Sequence, residues 1–568
     1  MRRLVAPVRR SILAATLSIL AAALTLSACS SDSSGPAVLP PPAGLTGAVQ
    51  PNGDVQLNWT AVSGATSYRL ERTDPTQPGV FTEIGGAITT NSYVDGTVLD
   101  GTTYGYRVAS ANSVGVGDFS SVVNVATPGL KVATITGFIT GNRTLYADTT
   151  YTLVGFVKVI NGSTLTIQAG TVVYGDAAVV GSSLWINRGS KIDIQGTASA
   201  PVVFTSSKAP GSRAPGDWGG IIMIGNGIIN RAGTVFTEGP VGVQENYGGG
   251  TNNADNSGNL RYFRIEFAGF DVSGGGNSEL NGLSMYAIGS GTVLEYGQTN
   301  AGLDDSFEWW GGAVDGRYLV SYNSGDDHFD ATEGWVGRLQ YIIGFQNARL
   351  VPAAGTGVLA ADPQGFEIDG CAGSGCTLGT RSTPFTDPIV ANFTMVGYGD
   401  LETQTAGGRG GVWRRGTIGA WSNGIIARWP SSAISVRDTS VTLAIRDSLT
   451  IQNVVLAQDS TRPGSTLYEA SSNPVYSAAQ FTTLFSTSNH RLSPLATDVI
   501  TSITPPALDW RPKGIALVGG NTVPLPTRAA GNTANFFGGT LTLPVYVGAV
   551  DPASATPWYT GWTTYFTN

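Results

Sequence analysis

The sequence of 568 residues contains very little histidine and cysteine, with two and three residues respectively. Zinc and copper sites built on histidine therefore have almost no available ligands. Charged residues make up only 13% of the chain, and the net charge at pH 7 is −8. Because phosphate binding needs a surplus of Lys and Arg, we expect no nucleic acid among the partners.

Glycine, by contrast, is abundant, with 77 residues, and Thr, Val, Ile and Tyr are frequent. This composition suits short strands joined by tight turns. The chain is too long for one ordinary domain unless much of it is an elongated repeat with a continuous core. We therefore predict an all-β protein that includes such a repeat.

Residues 1–28 have the pattern of a cleaved export signal, in which an apolar run at 11–26 follows several arginines. The next residues, "LSAC", resemble the lipobox of bacterial lipoproteins. This resemblance implies that Cys29 is lipidated and becomes the mature N-terminus, and Ser30 after it favours the outer membrane or cell surface. Ordinary cleavage beside a stray cysteine is the alternative. Residues 29–43, rich in Ser, Pro and Gly, would form a flexible tether.

Residues 44–128 alternate between apolar and polar positions, and turn residues separate the short segments. The segment "DVQLNWTAV" alternates around Trp59, and "VLDGTTYGYRVASANSVG" contains Tyr104. These segments resemble a fibronectin type III domain, with Trp59 as the core tryptophan and Tyr104 as the corner tyrosine. Such a module can act as a spacer, a glycan binder or an adhesion unit, because fold alone does not determine function.

Residues 129–500 contain short units with a turn followed by a strand, such as "INGSTLTI", "QAGTVVYG" and "NRGSKIDIQG". Together with "LRYFRIEFAG" and "SGDDHFDA", they resemble the right-handed parallel β-helix of the pectin-lyase-like superfamily and of related secreted bacterial proteins. The expected fold class is therefore all-β, a fibronectin-like sandwich followed by a right-handed β-helix. Residues 501–568 end with closely spaced aromatic residues, which we expect to pack on the β-helix and cover its open end.

Aromatic and acidic residues recur in adjacent positions along this predicted solenoid. The recurring pairs are Phe307–Glu308, Phe329–Asp330 and Phe366–Glu367, and "ELNG" aligns Leu280 and Asn281 one coil earlier. The first two pairs are about 22 residues apart, a plausible coil length, so we predict that each Phe lies inside and each acid outside. In the same register, Asp304 and Asp305 stack on Asp326 and Asp327.

Stacked carboxylates at the strand spacing of about 4.8 Å repel each other unless protons, a cation or solvent relieves the repulsion. Calcium prefers six to eight oxygen ligands, which such a column could supply. The candidate calcium ligands are Asp304, Asp305, Glu308, Asp326, Asp327, Asp330 and Glu367. A solvated acidic ladder without an ion is an equally weighted alternative.

An enzymatic interpretation starts from "SGDDHFD", which resembles the paired-aspartate motif of polygalacturonase-type glycoside hydrolases. By position, Asp326 and Asp327 would be the catalytic acid and base, with Asp304 or Asp305 as a third carboxylate. The sequence lacks the downstream Gly-His-Gly and Arg-Ile-Lys segments of that family. A calcium-dependent lyase would instead need a Lys or Arg base, and no motif marks one.

Other residues suggest contacts with glycans or local stabilisation. Aromatic faces could stack on sugar rings, although tryptophan more often fills a core. The candidates for stacking are Trp309, Trp310, Trp335 and Trp413. Cys371 and Cys376 flank a Gly- and Ser-rich turn, which predicts a local disulfide in an exported protein. We expect His328 to be a surface or hydrogen-bonded residue.

Together these features predict a lipid-anchored cell-surface β-helix protein that binds a glycan or another envelope component. The alternative is an extracellular polysaccharide hydrolase or lyase that uses the same acidic residues. A complete acid, base and substrate-carboxylate clamp would distinguish the enzyme, and the sequence supplies only the acids.

Overall fold

The computed structural model describes residues 38–565 apart from several short gaps. The gaps are 51–52, 100, 130, 272–277, 372, 400–406, 446–447, 458–465, 472–482, 484–489, 518 and 521–540. The predicted signal peptide, Cys29 and most of the tether lie outside the described residues. The chain divides into two compact units, Met1–Gly129 and Leu130–Asn568. Within the described ranges, we find no helix with the length and apolar character needed to cross a membrane.

The N-terminal unit is an antiparallel sandwich of two sheets. One sheet contains β1 (Thr46–Val49), β2 (Val55–Asn58) and β5 (Ser92–Asp95). The other contains β3 (Ser67–Asp74), β4 (Gln77–Ile88), β6 (Thr103–Asn112), β7 (Gly115–Phe119) and β8 (Val123–Ala126). This arrangement confirms the fibronectin type III-like prediction.

The two predicted marker residues lie in the core of this sandwich. Trp59 is buried and packs edge-on against Tyr68, with ring centroids 5.4 Å apart. The hydroxyl of buried Tyr104 accepts a hydrogen bond from the backbone N–H of Leu99 at 2.9 Å. This bond ties the tyrosine to the chain a few residues upstream, as a tyrosine corner does.

The second unit is a parallel β-helix, also as predicted. Its elements begin with β9 (Lys131–Ile139), β10 (Arg143–Leu145), β11 (Thr149–Val159), β12 (Thr164–Gln168), β13 (Val172–Gly175), β14 (Ser183–Ile186), β15 (Lys191–Gln195), β16 (Val202–Ser206), β17 (Ile221–Ile224), β18 (Gly258–Glu266), β19 (Phe270–Asp271), β20 (Glu279–Leu280), β21 (Leu283–Ile288), β22 (Val293–Asn300) and β23 (Phe307–Gly312). They continue with β24 (Gly316–Tyr322), β25 (Phe329–Thr332), β26 (Arg338–Phe345), β27 (Phe366–Asp369), β28 (Ile389–Val396), β29 (Val412–Arg414), β30 (Gly419–Ser422), β31 (Ile425–Ala427), β32 (Ser432–Arg437), α1 (Asp438–Ile445), β33 (Leu449–Gln452), β34 (Val455–Ala457), β35 (Thr466–Ser471), β36 (Arg491–Ser493), β37 (Ile500–Ser502) and β38 (Asp509–Pro512). The short pairs β19–β20 and β37–β38 are antiparallel and separate from the solenoid.

The coils stack into three parallel sheets. Sheet 1 contains β12, β15, the first halves of β18, β22, β24, β26 and β28, and then β30 and β33. Sheet 2 contains β13, β16, the second halves of the same long strands, and then β31, β34 and β36. Sheet 3 contains β14, β17, β21, β23, β25, β27, β29, β32 and β35. Inward-facing aliphatic and aromatic side chains of all three sheets form one continuous core.

The corner between sheets 1 and 2 has a column of residues in the left-handed backbone region. The column comprises Tyr262, Tyr296, Tyr318, Tyr341, Asn392, Asn423 and Asn453, with φ between 51° and 59°. The consecutive tyrosine rings stack with centroids 4.2, 4.6 and 5.1 Å apart, close to the strand spacing. Asn adopts this backbone readily, whereas for Tyr it is uncommon, so stacking between coils helps to hold the bend.

The predicted register of the acidic coils is confirmed for three rungs of sheet 3. Phe307 pairs with Phe329 and Phe329 with Phe366, with ring centroids 5.5 and 5.9 Å apart. The prediction for the preceding coil was wrong, because Leu283 rather than Leu280 pairs with Phe307. Leu280 and Leu283 are both apolar, so the sequence pattern alone does not distinguish them. The side chain of Asn281 donates a hydrogen bond to Glu308, and "ELNG" precedes strand β21.

The C-terminal segment packs along the side of the solenoid. The backbone N–H of Thr564 donates to Gln298, and that of Ala549 donates to Thr394. Trp562 lies edge-on to the Tyr262 ring, with centroids 5.9 Å apart. These contacts span the coils from β18 to β28, so the described part of this segment packs on the β-helix as predicted, along its side and not over an open end. The apolar surface that it buries lies on the flank of the coils.

We predict that Phe329→Ala will destabilise the solenoid by about 3–5 kcal/mol, because a stacked core ring leaves a cavity when truncated. Phe329 is 1% exposed, and the matched control Phe138 is 66% exposed in the first coil. Phe138→Ala should change stability by less than about 0.5 kcal/mol. Chemical denaturation followed by tryptophan fluorescence measures both, and equal midpoints for the two variants would contradict the assigned register.

Candidate functional site

Two successive connections between sheets 2 and 3, residues 301–306 and 323–328, bring the predicted aspartates together. The backbone N–H of Asp327 donates to Asp305 Oδ1 at 2.7 Å, and that of Gly325 donates to the Asp304 carbonyl at 3.3 Å. A Cβ at Gly325 would lie 1.8 Å from the carbonyl oxygen of Leu303. Glycine is therefore required for the two turns to stack this closely.

Outward-facing acids of sheet 3 extend this cluster in register. Glu308 pairs with Asp330, and Asp330 pairs with Glu367, on three adjacent strands. The cluster faces a pocket of about 500 Å³. The lining residues are Glu238, Glu279, Asp304, Asp305, Glu308, Asp326, Asp330 and the segment from Val358 to Asp362. Carboxylates therefore line most of the pocket, beside the apolar residues 358–361, and none of these described lining residues is Lys or Arg.

Three of the carboxylates in this wall are missing from the sequence prediction. Glu238 belongs to the long connection between β17 and β18, Glu279 to β20, and Asp362 to the connection between β26 and β27. These residues lie outside the repeating rungs of sheet 3. The spacing of the repeats does not predict where an insertion packs. The positions of Glu238, Glu279 and Asp362 are therefore visible only in the folded chain.

Burial raises the pKa of the carboxyl groups in the cluster, and their mutual repulsion adds to the effect. The pKa of Asp326 rises to about 7 because of burial and the nearby charges of Asp362 and Glu279. The pKa of Asp330 rises to about 8, again chiefly because of burial, with Asp369 as the next cause. Asp304, Asp305, Glu308 and Asp327 shift in the same direction. The cluster therefore needs protons or a cation at neutral pH.

Two groups of three carboxylates have the spacing of a metal site. One group contains Asp304, Asp305 and Asp326, and the other contains Asp305, Asp327 and Asp330. Within each group, one oxygen of every carboxylate lies within 4.8 Å of the others. Asp305 belongs to both groups, so two ions could share it. Oxygen-only ligands at this spacing suit a hard cation such as calcium.

The unused hydrogen-bonding capacity of the cluster also favours a bound cation. Asp305 is 5% exposed, and among the described residues only its Oδ1 accepts a hydrogen bond. The Oδ1 atoms of Asp326 and Asp330 are buried without a hydrogen-bond partner in the described part of the chain. Unpartnered buried oxygens are costly, and a metal ion would satisfy them.

Glu367 does not belong to either group of three, contrary to the predicted ligand set. Its Oε2 pairs with the guanidinium of Arg414, which also bonds Asp369 at 2.7 Å. Arg414 therefore neutralises the end of the column at Glu367. The end at Asp330 faces the pocket, where a bound cation could neutralise it. Glu308 lines the pocket but accepts a hydrogen bond from Asn281 at 2.6 Å, and it is also outside both groups.

Asp327 occupies a position that does not suit the predicted catalytic role. It is 2% exposed, its Oδ1 accepts the backbone N–H of Gln364, and it is not among the residues that line the pocket. A base for a substrate-bound water must reach that water. His328 is also buried, its Nδ1 lies 2.5 Å from Ser321 Oγ, and burial lowers its pKa to about 3.

The four tryptophans predicted to stack on sugars are all buried, so that prediction was wrong. Trp309 stacks on Trp335 inside the solenoid, with ring centroids 4.9 Å apart, and Trp413 lies in the same core. Trp310 points outward from sheet 3, but it stacks on Tyr286 at 3.9 Å beneath the insertion that follows β17. Sequence alternation does not indicate which outward positions an insertion covers.

The predicted disulfide between Cys371 and Cys376 is present. Its loop contacts the insertion that carries Glu238. The guanidinium Nε of Arg231 donates to the Ser374 carbonyl at 2.7 Å, and the backbone N–H of Ala232 donates to the Gly375 carbonyl at 2.9 Å. The disulfide therefore stabilises a loop that supports one wall of the site.

Comparison with protein families agrees with this architecture. Residues 137–493 match the family model described as a pectate-lyase like beta helix domain, and the chain belongs to that family. Family membership supports a carbohydrate-related extracellular role in general, and leaves binding and catalysis as alternatives. No curated protein matches the chain.

Several solved structures with fibronectin-like domains are similar to a small part of the chain. A Fn3-like protein from Clostridium thermocellum is 29% identical and covers 17% of this chain and 99% of its own, with a TM-score of 0.15. Titin domains A168–A170 are 24% identical over 16% of this chain and 32% of their own, also with a TM-score of 0.15. The domain from human fibronectin type III domain containing protein 3 is 24% identical and covers 17% of this chain and 93% of its own. Its TM-score is also 0.15. The sandwich assignment rests on the strand pairing described above.

The raised carboxyl pKa values predict how stability depends on pH without a cation. The folded chain binds protons up to a pH of about 7 to 8 at Asp326 and Asp330, whereas an unfolded Asp releases them near pH 4. The melting temperature in chelator should therefore fall as pH rises from about 7 to about 9, above the range where unfolded histidine titrates. Calcium should reduce this slope because it replaces the protons.

Differential scanning calorimetry with chelator and with calcium measures both slopes. A variant with Asp326→Asn and Asp330→Asn should show a flatter slope in chelator, because two of the titrating groups are gone. A melting temperature in chelator that rises over this pH range would contradict the assignment.

Proposed function

We propose that this protein is an extracellular carbohydrate-binding protein whose acidic pocket holds calcium. Lipidation of Cys29 would attach it to the outer membrane or cell surface, and the fibronectin-like domain would hold the β-helix away from that surface. The family assignment supports the general role. The observation that carries the specific proposal is the pair of carboxylate groups that share Asp305.

Calcium fits this pocket for reasons of charge and coordination number. Each group of three carboxylates offers at least three oxygens, while calcium takes six to eight. The remaining coordination positions are then available to water, backbone carbonyls or the hydroxyl and carboxylate oxygens of a glycan. A cation would also stabilise the charged carboxylates against the burial and the mutual repulsion that raise their pKa values. Ion binding and glycan binding would thus support each other.

The lyase alternative lacks a suitable base in the pocket. A lyase needs a Lys or Arg beside the uronate carbon, but the described lining is acidic and apolar. Arg414, whose charge acts on Asp326 and Asp330, already pairs with Glu367 and Asp369. Arg317 and Arg338, which are close to the acidic residues in sequence, lie on sheet 1 and pair with Glu295 at 2.6 Å and Asp315 at 2.5 Å. The geometry therefore favours binding over elimination chemistry.

The hydrolase alternative has one observation in its favour. Asp326 has a pKa of about 7, so it could hold a proton near neutral pH as a general acid does. Its neighbours Asp304 and Asp305 are also shifted upward, whereas an acid and base pair needs values that move apart.

We predict that calcium, added to the mature chain after a chelator has removed bound metal, will stabilise the fold and strengthen binding to polysaccharide. At 100-fold excess over Kd, the ion should add about 2.7 kcal/mol to the free energy of unfolding. Asp326→Asn should reduce both effects, because it removes one ligand from a group of three. Melting temperature and affinity electrophoresis in gels with acidic or neutral polysaccharides measure the two responses.

Asp193→Asn provides a matched control, because Asp193 lies on sheet 1 and does not line the pocket. This variant should respond to calcium as the unchanged protein does. If calcium changes neither the melting temperature nor retention, the ion proposal fails. If reducing or unsaturated sugar ends appear and Asp326→Asn abolishes them, the protein is an enzyme and the binding proposal is replaced.

A further inference from the structure

The acidic pocket is larger than the two ion-binding groups require. Its volume of about 500 Å³ falls in the range of roughly 300–1,000 Å³ that holds small organic ligands. The groups of three use only Asp304, Asp305, Asp326, Asp327 and Asp330. Glu238 and Glu279 line the same pocket and belong to neither group. There is therefore space and negative charge for a second positively charged group.

Glu238 and Glu279 are positioned by separate structural elements. The backbone N–H of Glu238 donates to the hydroxyl of Tyr286 at 3.1 Å, which attaches the insertion to β21. Glu279 lies on β20 and pairs with Asp271 of β19. Among the described residues, neither Glu238 nor Glu279 forms an ion pair. Two carboxylates on independent supports, both facing one pocket, are suited to binding a cation between elements.

A third observation is the apolar character of the remaining wall. Val358, Leu359, Ala360 and Ala361 form four consecutive apolar residues that line the pocket. A small hydrated metal ion gains nothing from such a surface, whereas the C–H faces of a sugar ring or an alkyl chain do. The ligand that fits combines positive charge with apolar surface.

The buried oxygens of the pocket floor provide independent support for a ligand. Asp305, which is nine-tenths buried, has no hydrogen-bond partner for Oδ2 among the described residues. The Oδ1 atoms of Asp326 and Asp330 are buried and unpartnered in the same part of the chain. A cation on these aspartates leaves Glu238 and Glu279 as further acceptors in the same pocket, and a primary ammonium group, with three N–H donors and no acceptor, matches them.

We infer that the acidic pocket recognises an amino sugar with a free amine, which Glu238 and Glu279 bind while residues 358–361 contact the sugar ring. This inference rests on the proposed carbohydrate-binding function and specifies its ligand class. Sugar oxygens complete the coordination of calcium on the pocket floor, and the ammonium group neutralises the two glutamates. An acetylated amine would be rejected because it carries no charge and leaves both carboxylates without a positively charged partner.

The test is isothermal titration calorimetry of the full mature chain near neutral pH with three probes. They are a glucosamine trimer, its fully N-acetylated counterpart, and spermidine as an amine without a sugar ring. The glucosamine trimer should bind at least about tenfold more tightly than the acetylated trimer, because a charge-assisted hydrogen bond is lost. Spermidine should bind more weakly than the trimer because it cannot offer a ring to the apolar wall.

Glu238→Gln and Glu279→Gln should each weaken binding of the glucosamine trimer by about tenfold. Glu83→Gln is a matched control, because Glu83 lies in the N-terminal sandwich, and it should bind as the unchanged protein does. The melting temperature of each variant verifies folding. Equal binding of the two trimers, or unchanged binding in both pocket variants, would overturn the inference. Tight binding of spermidine without binding of the trimer would overturn the amino-sugar assignment.

Titrations in calcium and in chelator separate this inference from the proposed function. Glu238→Gln should still respond to calcium, because it keeps every carboxylate of both ion-binding groups, although the loss of a charge near Asp304 should change the size of the response. Loss of the calcium response with amine binding retained would contradict only the ion site. A normal calcium response without any difference between the trimers would contradict only the amino-sugar inference.

Discussion

The stacking of coils at the strand spacing is the constraint from which the site follows. A parallel β-helix repeats each outward position about 4.8 Å along its axis, so an acid at one position approaches an acid at the next. Asp305 and Asp327 illustrate this, since the backbone of one coil donates to the carboxylate of the other at 2.7 Å. The fold fixes this charge density, and the surrounding elements must neutralise it.

Neutralisation takes two forms along the same column. Arg414 lies on the following coil and pairs with Glu367 and Asp369, so that end is satisfied within the chain. The Asp330 end faces a pocket enclosed by two insertions, and there the buried oxygens remain without partners among the described residues. The pocket therefore leaves these carboxylates without a positively charged partner among its described lining residues.

Sequence reasoning predicted the parts of the fold that depend on periodicity. Phe307, Phe329 and Phe366 could be predicted in register because each is followed directly by an acidic residue in its rung. The prediction that Leu280 pairs with Phe307 was wrong because the apolar pattern alone does not distinguish Leu280 from Leu283. The hydrogen bond from Asn281 to Glu308 distinguishes them in the structure. Periodicity also could not show that insertions cover Trp310 or bring Glu238 to the pocket. The column of stacked tyrosines between sheets 1 and 2 could not be predicted, because Tyr rarely adopts left-handed backbone angles.

A cation bound among the aspartates would relieve their mutual repulsion. Anomalous X-ray diffraction from crystals of the mature chain grown with calcium tests this claim most directly. We predict an anomalous peak within about 2.3–2.6 Å of oxygens from Asp305 and the other members of at least one group of three. A saturating calcium concentration that gives no peak in the pocket, with the carboxylates in the positions described here, would contradict the account.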